Sequence, residues 1–424
     1  MRMKKRISIV LALVLLASAL PLAITSAAAY EKKIPCDADG NNELTKEELV
    51  NVILPYMLGE GSYTLDDVGD AAWVYAYWDG KPKTIVDRRD RTVTFYRPVE
   101  RIVLLDLLTG MYILTQLKAT DKVVATNDCA KYIYDPSRSH YFCPLTSAAP
   151  ELKDLPRLGY RDPSLESILL LKPDVIFTYG SYIDPDSIQE ATGILTVCSA
   201  ITSATTGIFS EHELIGKIVD REEEAEELIS YFNEELDELT EITSQINESK
   251  RVKVLLVATG HKTTGDVRSV MGCPGSIWGV FACEKAGGIN VALGGGGDCG
   301  YSYTTTKEQI IEWNPDIIII GTSSSKHKLT IEDVLSDPDL RDAEGQPVIN
   351  AIKNNRVYYT QGAFIYKDRT VAIVEAYYFA KLFYPDEFAE LNLEEKGNEI
   401  FKRVYGVDGL FTEMTEKLDL YRWG

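Results

Sequence analysis

The chain has few of the residues and motifs on which most enzymes are built. Only four histidines occur, His140, His212, His261 and His327, and they are spread along the sequence. That disfavours a preformed zinc or manganese site, which gathers several imidazole or thiolate ligands. No Gly-x-Ser-x-Gly elbow and no paired Cys/His arrangement is present, and the run Gly294–Gly297 lacks the following Lys-Ser/Thr of a phosphate-binding loop. The seven cysteines form no Cys-x-x-Cys pair and no zinc ribbon, and their odd number leaves at least one thiol unpaired. Pairing is expected within two groups, Cys129 with Cys143 and the set Cys273, Cys283 and Cys299, with buried free thiols as the alternative. Basic residues are also scarce: 44 against 64 acidic ones, for a net charge of −20. That balance excludes general affinity for nucleic acid or anionic lipid.

What is present points to an exported, multi-unit globular protein. Hydrophobic residues make up 45% and charged residues 25% of 424 positions, enough for more than one core. The start, MRMKKR, then an uncharged run from Ile7 to Ile24, then Thr-Ser-Ala-Ala-Ala, reads as a secretory signal over residues 1–29 with cleavage near Ala29. The alternative is an uncleaved membrane anchor. Either way the protein is placed outside the cytoplasm, secreted or held at the outer face of the cytoplasmic membrane. Lys-Ile-Pro before Cys36 is not the small-residue context of a lipidation site.

Residues 30–85 read as a small separate module. Its opening, Asp37-Ala-Asp-Gly-Asn-Asn-Glu-Leu-Thr-Lys-Glu-Glu, has oxygen-bearing residues at loop positions 1, 3, 5 and 9 and a glutamate at 12, the spacing that wraps a chain around Ca2+. The ligands would be Asp37, Asp39, Asn41, the Glu43 carbonyl, Thr45 and Glu48, in a loop that resembles an EF-hand or dockerin. Asn42 replaces the usual glycine, and Asn is the next best residue for a left-handed backbone. The competing reading is a plain helix start in which Thr45 caps and Glu48 completes a capping box. A second helix is expected to begin at Thr64. No catalytic cofactor is indicated.

From Arg91 onward, short apolar strands alternate with helices, which implies parallel sheets covered by helices. Strands are expected at Thr92–Tyr96, Arg101–Leu105, Val123–Ala125, Asp174–Tyr179, Leu195–Cys198, Val252–Ala258, Ile317–Ile320 and Arg356–Tyr359. Between the halves, 210–247 keeps apolar three/four spacing and is expected to form one continuous helix more than about 50 Å long. The lobes are then 91–209 and 251–424. A near-repeat links them: Pro163-Ser-Leu-Glu166 leads to Pro173-Asp174-Val-Ile-Phe, and Thr305-Thr-Lys-Glu308 leads to Pro315-Asp316-Ile-Ile-Ile. In each, aspartate stands eight positions after glutamate, and Pro-Asp marks helix exit before a β-branched strand. The fold class is therefore α/β: two parallel-sheet lobes joined by one long helix, plus the small helical N-terminal module.

This ordered set resembles the substrate-binding proteins of ATP-driven (ABC) importers for iron–siderophore, haem and cobalamin, the class III periplasmic binding proteins. Further matching segments are Thr92-Val-Thr-Phe-Tyr-Arg-Pro-Val-Glu-Arg-Ile-Val, Leu155-Pro-Arg-Leu-Gly-Tyr, Glu284-Lys-Ala-Gly-Gly-Ile-Asn-Val-Ala, Ala351-Ile-Lys-Asn-Asn-Arg-Val-Tyr and Tyr378-Phe-Ala-Lys-Leu-Phe-Tyr-Pro. The resemblance covers about residues 91–410, and the N-terminal module is outside the family pattern. It implies a metal chelate held between the lobes of a monomer, with Glu166 and Glu308 docking to basic residues of the membrane permease. Simple helix-start carboxylates are the bland alternative for that pair.

Pocket candidates follow from the loops at strand ends, where open α/β sheets bind ligands. They are Tyr160, Arg161, Tyr179, Ser181 and Tyr182 in the first half, and His261, Tyr301, Tyr303, Gln361, Phe364 and Tyr366 in the second. Tyrosine faces suit a macrocycle or catecholate, and Arg161 suits a ligand carboxylate. Two other readings stand beside transport: a metal-chelatase-like enzyme using His261 with Glu284, and a calcium-organised extracellular adhesion or scaffold protein.

Overall fold

The computed structural model describes residues 34–134, 143–201, 208–259, 265–272, 279–295, 302–321, 329–360 and 368–418. His261, Tyr301, Gln361, Phe364 and Tyr366 lie outside the described residues, as do His140, His327, Cys273 and Cys299. The chain divides into two compact units, one ending at Thr84 and also taking in Thr94–Arg97, the other formed by Ile85–Val93 and the chain from Pro98 onward.

The smaller unit is built on two helices, Lys46–Met57 and Leu65–Trp78. Both start with the same device. Thr45 and Thr64 cap the third-residue N–H, and Glu48 and Asp67 bond back to the cap, which satisfies donors that a helix start otherwise leaves open. Ile34, Leu44, Leu49, Val52, Ala71, Val74 and Tyr96 form its core. At the exit of the second helix Gly80 has φ +83°, and a Cβ there would sit 2.3 Å from the Leu44 carbonyl oxygen, so glycine is required. Strands β1 (Lys83–Val86) and β2 (Thr92–Phe95) form a two-stranded sheet.

The larger unit holds two α/β lobes. The first carries β3 (Ile102–Leu105), β4 (Val123–Asn127), β5 (Arg157–Leu158), β6 (Val175–Tyr179) and β7 (Leu195–Ala200). They lie in the order β5-β4-β3-β6-β7, all parallel. Every residue of β3 and β6 is buried, as expected for parallel strands covered on both faces.

The second lobe carries β8 (Lys253–Ala258), β9 (Ser269–Val270), β10 (Ile289–Asn290), β11 (Tyr303–Thr304), β12 (Ile317–Gly321) and β13 (Val357–Thr360). Their order is β11-β9-β8-β12-β13, with β10 also on β8. The β8, β12, β13 and β10 pairings are parallel, but β9 pairs antiparallel with both β8 and β11 at the edge, so this sheet is mixed and not purely parallel. Both added strands are two residues long, too short to carry the β-branched patterning by which sequence reveals a strand.

The near-repeat is one structural unit made twice. Helices Leu165–Leu171 and Lys307–Trp313 both end on a left-handed residue, Lys172 and Asn314, each at φ 46°. Proline then turns the chain into the strand. The following aspartate clamps the start of the neighbouring strand. Asp174 donates its N–H to the Arg101 carbonyl at 2.8 Å and accepts the Arg101 N–H on its carboxylate at 2.8 Å. Asp316 does the same with Lys253, at 2.8 and 3.1 Å.

The expected continuous helix over 210–247 is broken. Helices Ser210–Ile218 and Glu222–Thr243 meet at Asp220, which is left-handed at φ 57°. The arms fold back on each other: Phe209 stacks on Phe232 with centroids 5.3 Å apart, where a straight helix would separate them by about 35 Å. Gly216 permits this approach, since a Cβ there would lie 2.7 Å from Cβ of Ala225. The first arm packs on the first lobe, against β7 and helix Thr109–Gln116; the second packs on helices Val280–Lys285 and Arg369–Phe383. The connection between lobes is thus a bent pair of helices, its longer arm about 33 Å.

Candidate functional site

In the first lobe the chain runs from β3 outward through β4 and β5, then returns on the other side of β3 to make β6 and β7. That reversal marks the position, beyond the carboxyl ends of β3 and β6, at which open α/β sheets hold ligands. The turn after β3 is held rigidly there. Leu107 is left-handed at φ 63°, a conformation costing a bulky residue about 1–3 kcal/mol. Asn127, buried at the end of β4, donates to the Leu107 carbonyl and accepts the Cys129 N–H at 2.9 Å. Asp106, fully buried, accepts the Gly110 N–H at 2.9 Å and the Ser199 hydroxyl at 2.7 Å. Sequence reading passed over Asn127 and Asp106, whose only signal is their place at strand ends.

The first-lobe pocket candidates converge at this edge. Tyr179 closes β6, and the turn after it returns the Tyr182 N–H to the Tyr179 carbonyl at 2.9 Å. The two rings stack, with centroids 5.3 Å apart and planes at 27°. Tyr160, just past β5, meets Tyr182 edge-on at 5.6 Å. Arg161 then lies over both rings, its guanidinium carbon 5.2 Å from the Tyr160 centroid and 4.9 Å from that of Tyr182. Arg161 and Ser181 are exposed. Among the described residues no carboxylate pairs with Arg161, so its N–H edges are available while its faces rest on rings. A guanidinium in this setting offers a planar donor fork to an anion and leaves aromatic faces for apolar parts of the same ligand.

Cys129 neighbours the cluster, but burial, helped by Asp128, pushes its thiol up to about 12. It is therefore protonated at neutral pH and poorly suited as a metal ligand or nucleophile. Cys129 is a free thiol, so the expected pairing with Cys143 is not made; Cys143 instead faces the Tyr112 hydroxyl at 2.9 Å. Cys36, Cys198 and Cys283 are also free.

In the second lobe β8, β12 and β13 end at Ala258, Gly321 and Thr360. Tyr303, on β11, gives its hydroxyl to the Ala292 carbonyl at 2.7 Å and packs on that lobe's core. It supports the loop before it and is not among the residues gathered round Arg161.

Glu166 and Glu308 occupy equivalent places in the repeat, each in the first turn of its helix and each exposed. Ser164 and Thr306 cap those helices. Backbone hydrogen bonding and the Thr306 hydroxyl hold the Glu308 carboxyl below its usual range. The neighbouring Lys307 is committed to Asp337 and Asp339, both at 2.8 Å, so it does not pair with Glu308.

In the small unit, Asp37, Asp39 and Glu48 bring carboxylate oxygens within 4.8 Å of one another. Asn42 is left-handed at φ 62°, and Asp37 accepts the Gly40 and Asn42 N–H groups at 2.7 and 2.9 Å. Asn41 accepts the Glu43 N–H at 2.7 Å. The Glu43 carboxylate is drawn away to Lys81 at 2.8 Å, which leaves its carbonyl as the donor. This all-oxygen set fits a hard cation. The Thr45–Glu48 capping box is formed at the same place, with the Thr45 hydroxyl 2.7 Å from Glu48.

Residues 108–363 match the model of the periplasmic binding protein family. The chain belongs to that family. Among its relatives is the molybdate-binding protein MolA of Haemophilus influenzae, 24% identical over 352 residues, which cover 76% of this chain and 91% of MolA. The periplasmic solute-binding protein of Veillonella parvula shares the fold, with a TM-score of 0.60 at 22% identity, covering 80% of this chain and 97% of that one. So does CeuE of Helicobacter pylori, solved in a Ni-His complex, with a TM-score of 0.57 at 19% identity and coverage of 78% and 98%. Members of this family are periplasmic binding proteins, and this chain is one of them. The metal-chelatase reading is thereby set aside.

Proposed function

We propose that the chain is the extracytoplasmic receptor of an ABC importer and captures a metal chelate, an iron–siderophore, haem or corrinoid, in the crevice between its lobes. The observation that carries this reading is Arg161, held on the faces of Tyr160 and Tyr182 with its N–H edges open. A chelate offers what this arrangement recognises, carboxylate or catecholate oxygens beside flat apolar surface. Likeness to MolA supports a second reading, a bare oxyanion such as molybdate. An oxyanion would use the guanidinium but not the tyrosine faces. Titration with ferric siderophores, haem, cobalamin and molybdate, followed by tyrosine and tryptophan fluorescence, separates them. Saturable binding of one chelate class supports the proposal, response to molybdate alone moves the assignment to the oxyanion, and no response to any refutes both.

Glu166 and Glu308 are assigned to permease docking. Two exposed carboxylates on corresponding helices of the two lobes suit a two-point electrostatic handle. The acidic loop of the small unit is assigned to structural Ca2+, held by Asp37, Asp39, Asn41, the Glu43 carbonyl, Thr45 and Glu48. Bound ion would tie the loop to the first helix through Glu48.

A further inference from the structure

Away from the crevice, one buried polar cluster draws together segments remote in sequence. Gln116 ends the first-lobe helix Thr109–Gln116 and is buried. Its amide nitrogen reaches the Tyr405 hydroxyl at 2.8 Å and the Asp368 carboxylate at 3.2 Å, while its oxygen faces Nε2 of His212 at 2.8 Å. Tyr405 in turn donates to Asp368 at 2.8 Å. Burial, with the charge of Arg369 adding to it, pushes the His212 imidazole down to about 3. It is therefore neutral, Nε2–H donates to Gln116, and the amide orientation follows. Beside this cluster Arg369 pairs with Glu211 at 2.6 Å, both buried, and also donates to the Ile208 carbonyl.

The placement is what gives the cluster meaning. Gln116, Glu211 and His212 sit on helices that pack in the first lobe. Asp368 and Arg369 begin the helix that follows β13 of the second lobe, and Tyr405 ends the next helix, Leu393–Tyr405. Thus 252 and 289 residues of sequence separate Gln116 from Asp368 and Tyr405. Buried polar groups with partners on both sides of an interlobe boundary favour one mutual arrangement, because any other leaves them unpaired.

We infer that Gln116, with Asp368, Tyr405 and His212, is an interlobe latch that sets the opening of the ligand crevice. The latch fixes lobe orientation in the free protein, independent of which solute is bound. Distances between spin labels test it. Labels attached through p-acetylphenylalanine replace Glu190 in the first lobe and Glu332 in the second, both exposed helical positions, leaving native thiols untouched. In the unliganded protein a single narrow distance distribution is expected. Gln116→Leu and the milder Tyr405→Phe should each broaden it and add a second maximum. Ile168→Ala, which opens a cavity in the first-lobe core, should lower the melting temperature without broadening. Unchanged distributions in the latch variants, or equal broadening by Ile168→Ala, would overturn the inference. If Gln116→Leu does not fold, Tyr405→Phe decides.

Discussion

The guanidinium carbon of Arg161 stands 4.9 Å from the centre of the Tyr182 ring, and that contact divides the proposed binding surface into a charged edge and an apolar face. Arg161→Ala is expected to weaken binding of an anionic chelate about tenfold to a hundredfold, the loss of a charge-assisted hydrogen bond of about 1.5–3 kcal/mol. Arg161→Lys should recover only part, because an ammonium lacks the planar fork. Isothermal titration of both variants with the selected chelate measures the difference.

Tyr182→Phe should bind nearly as wild type, since the ring is retained, whereas Tyr182→Ala removes the surface on which Arg161 rests. The expected cost of the alanine variant is about 1 kcal/mol, in the range of a stacked cation–π contact. Equal affinity of both variants would remove the ring from the account.

For the docking pair, replacing Glu166 and Glu308 together by Ala should leave solute affinity unchanged and abolish stimulation of the reconstituted transporter. Both carboxylates are exposed, so the fold itself should be little affected. Unimpaired transport would leave these residues as helix-start charges.

The acidic loop is expected to raise the melting point of the small unit when calcium is added. The gain is about 2.7 kcal/mol once the free ion reaches about 100 times its dissociation constant. Asp37→Ala should abolish that response. Thr45→Ala, which removes the cap, should cost about 1 kcal/mol without the ion and more with it, because Thr45 is also one of the assigned ligands. No calcium response in wild type would leave the capping box alone.

Acid stability tests His212. Its folded-state value, about 3, lies below the ordinary 6.5, so the unfolded chain takes up a proton first and stability falls as pH drops through the interval between them. By pH 5 this group should cost about 2 kcal/mol relative to pH 7. His212→Gln, which keeps a donor toward Gln116, should show a shallower decline in denaturant midpoint over that range. Burial raises the Asp368 carboxyl, which acts in the opposite direction and is present in both proteins.

The lobes were legible in sequence because their elements are local. A cap, a short helix and Pro-Asp specify the Asp174 and Asp316 clamps within a dozen residues, and the strands that follow are almost wholly apolar. The bend at Asp220 was not legible, because Ile218 and Ala225 continue the apolar period across it, and periodicity carries no information about one left-handed residue. The latch was illegible for a different reason. Gln116, His212 and Asp368 are unremarkable in their own segments and acquire a role only when the fold brings them together. Tyr160, Arg161, Tyr179 and Tyr182, by contrast, were picked out by their position at strand ends, and the structure brings them into contact.

Anomalous diffraction at the iron edge, from crystals grown with a saturating ferric chelate selected by the fluorescence screen, tests the assignment of the crevice most directly. The expected result is one strong iron peak beyond the carboxyl ends of β3 and β6, with chelate oxygens in hydrogen-bond reach of Arg161. A peak elsewhere, or a chelate bound without contact to Arg161, would contradict it.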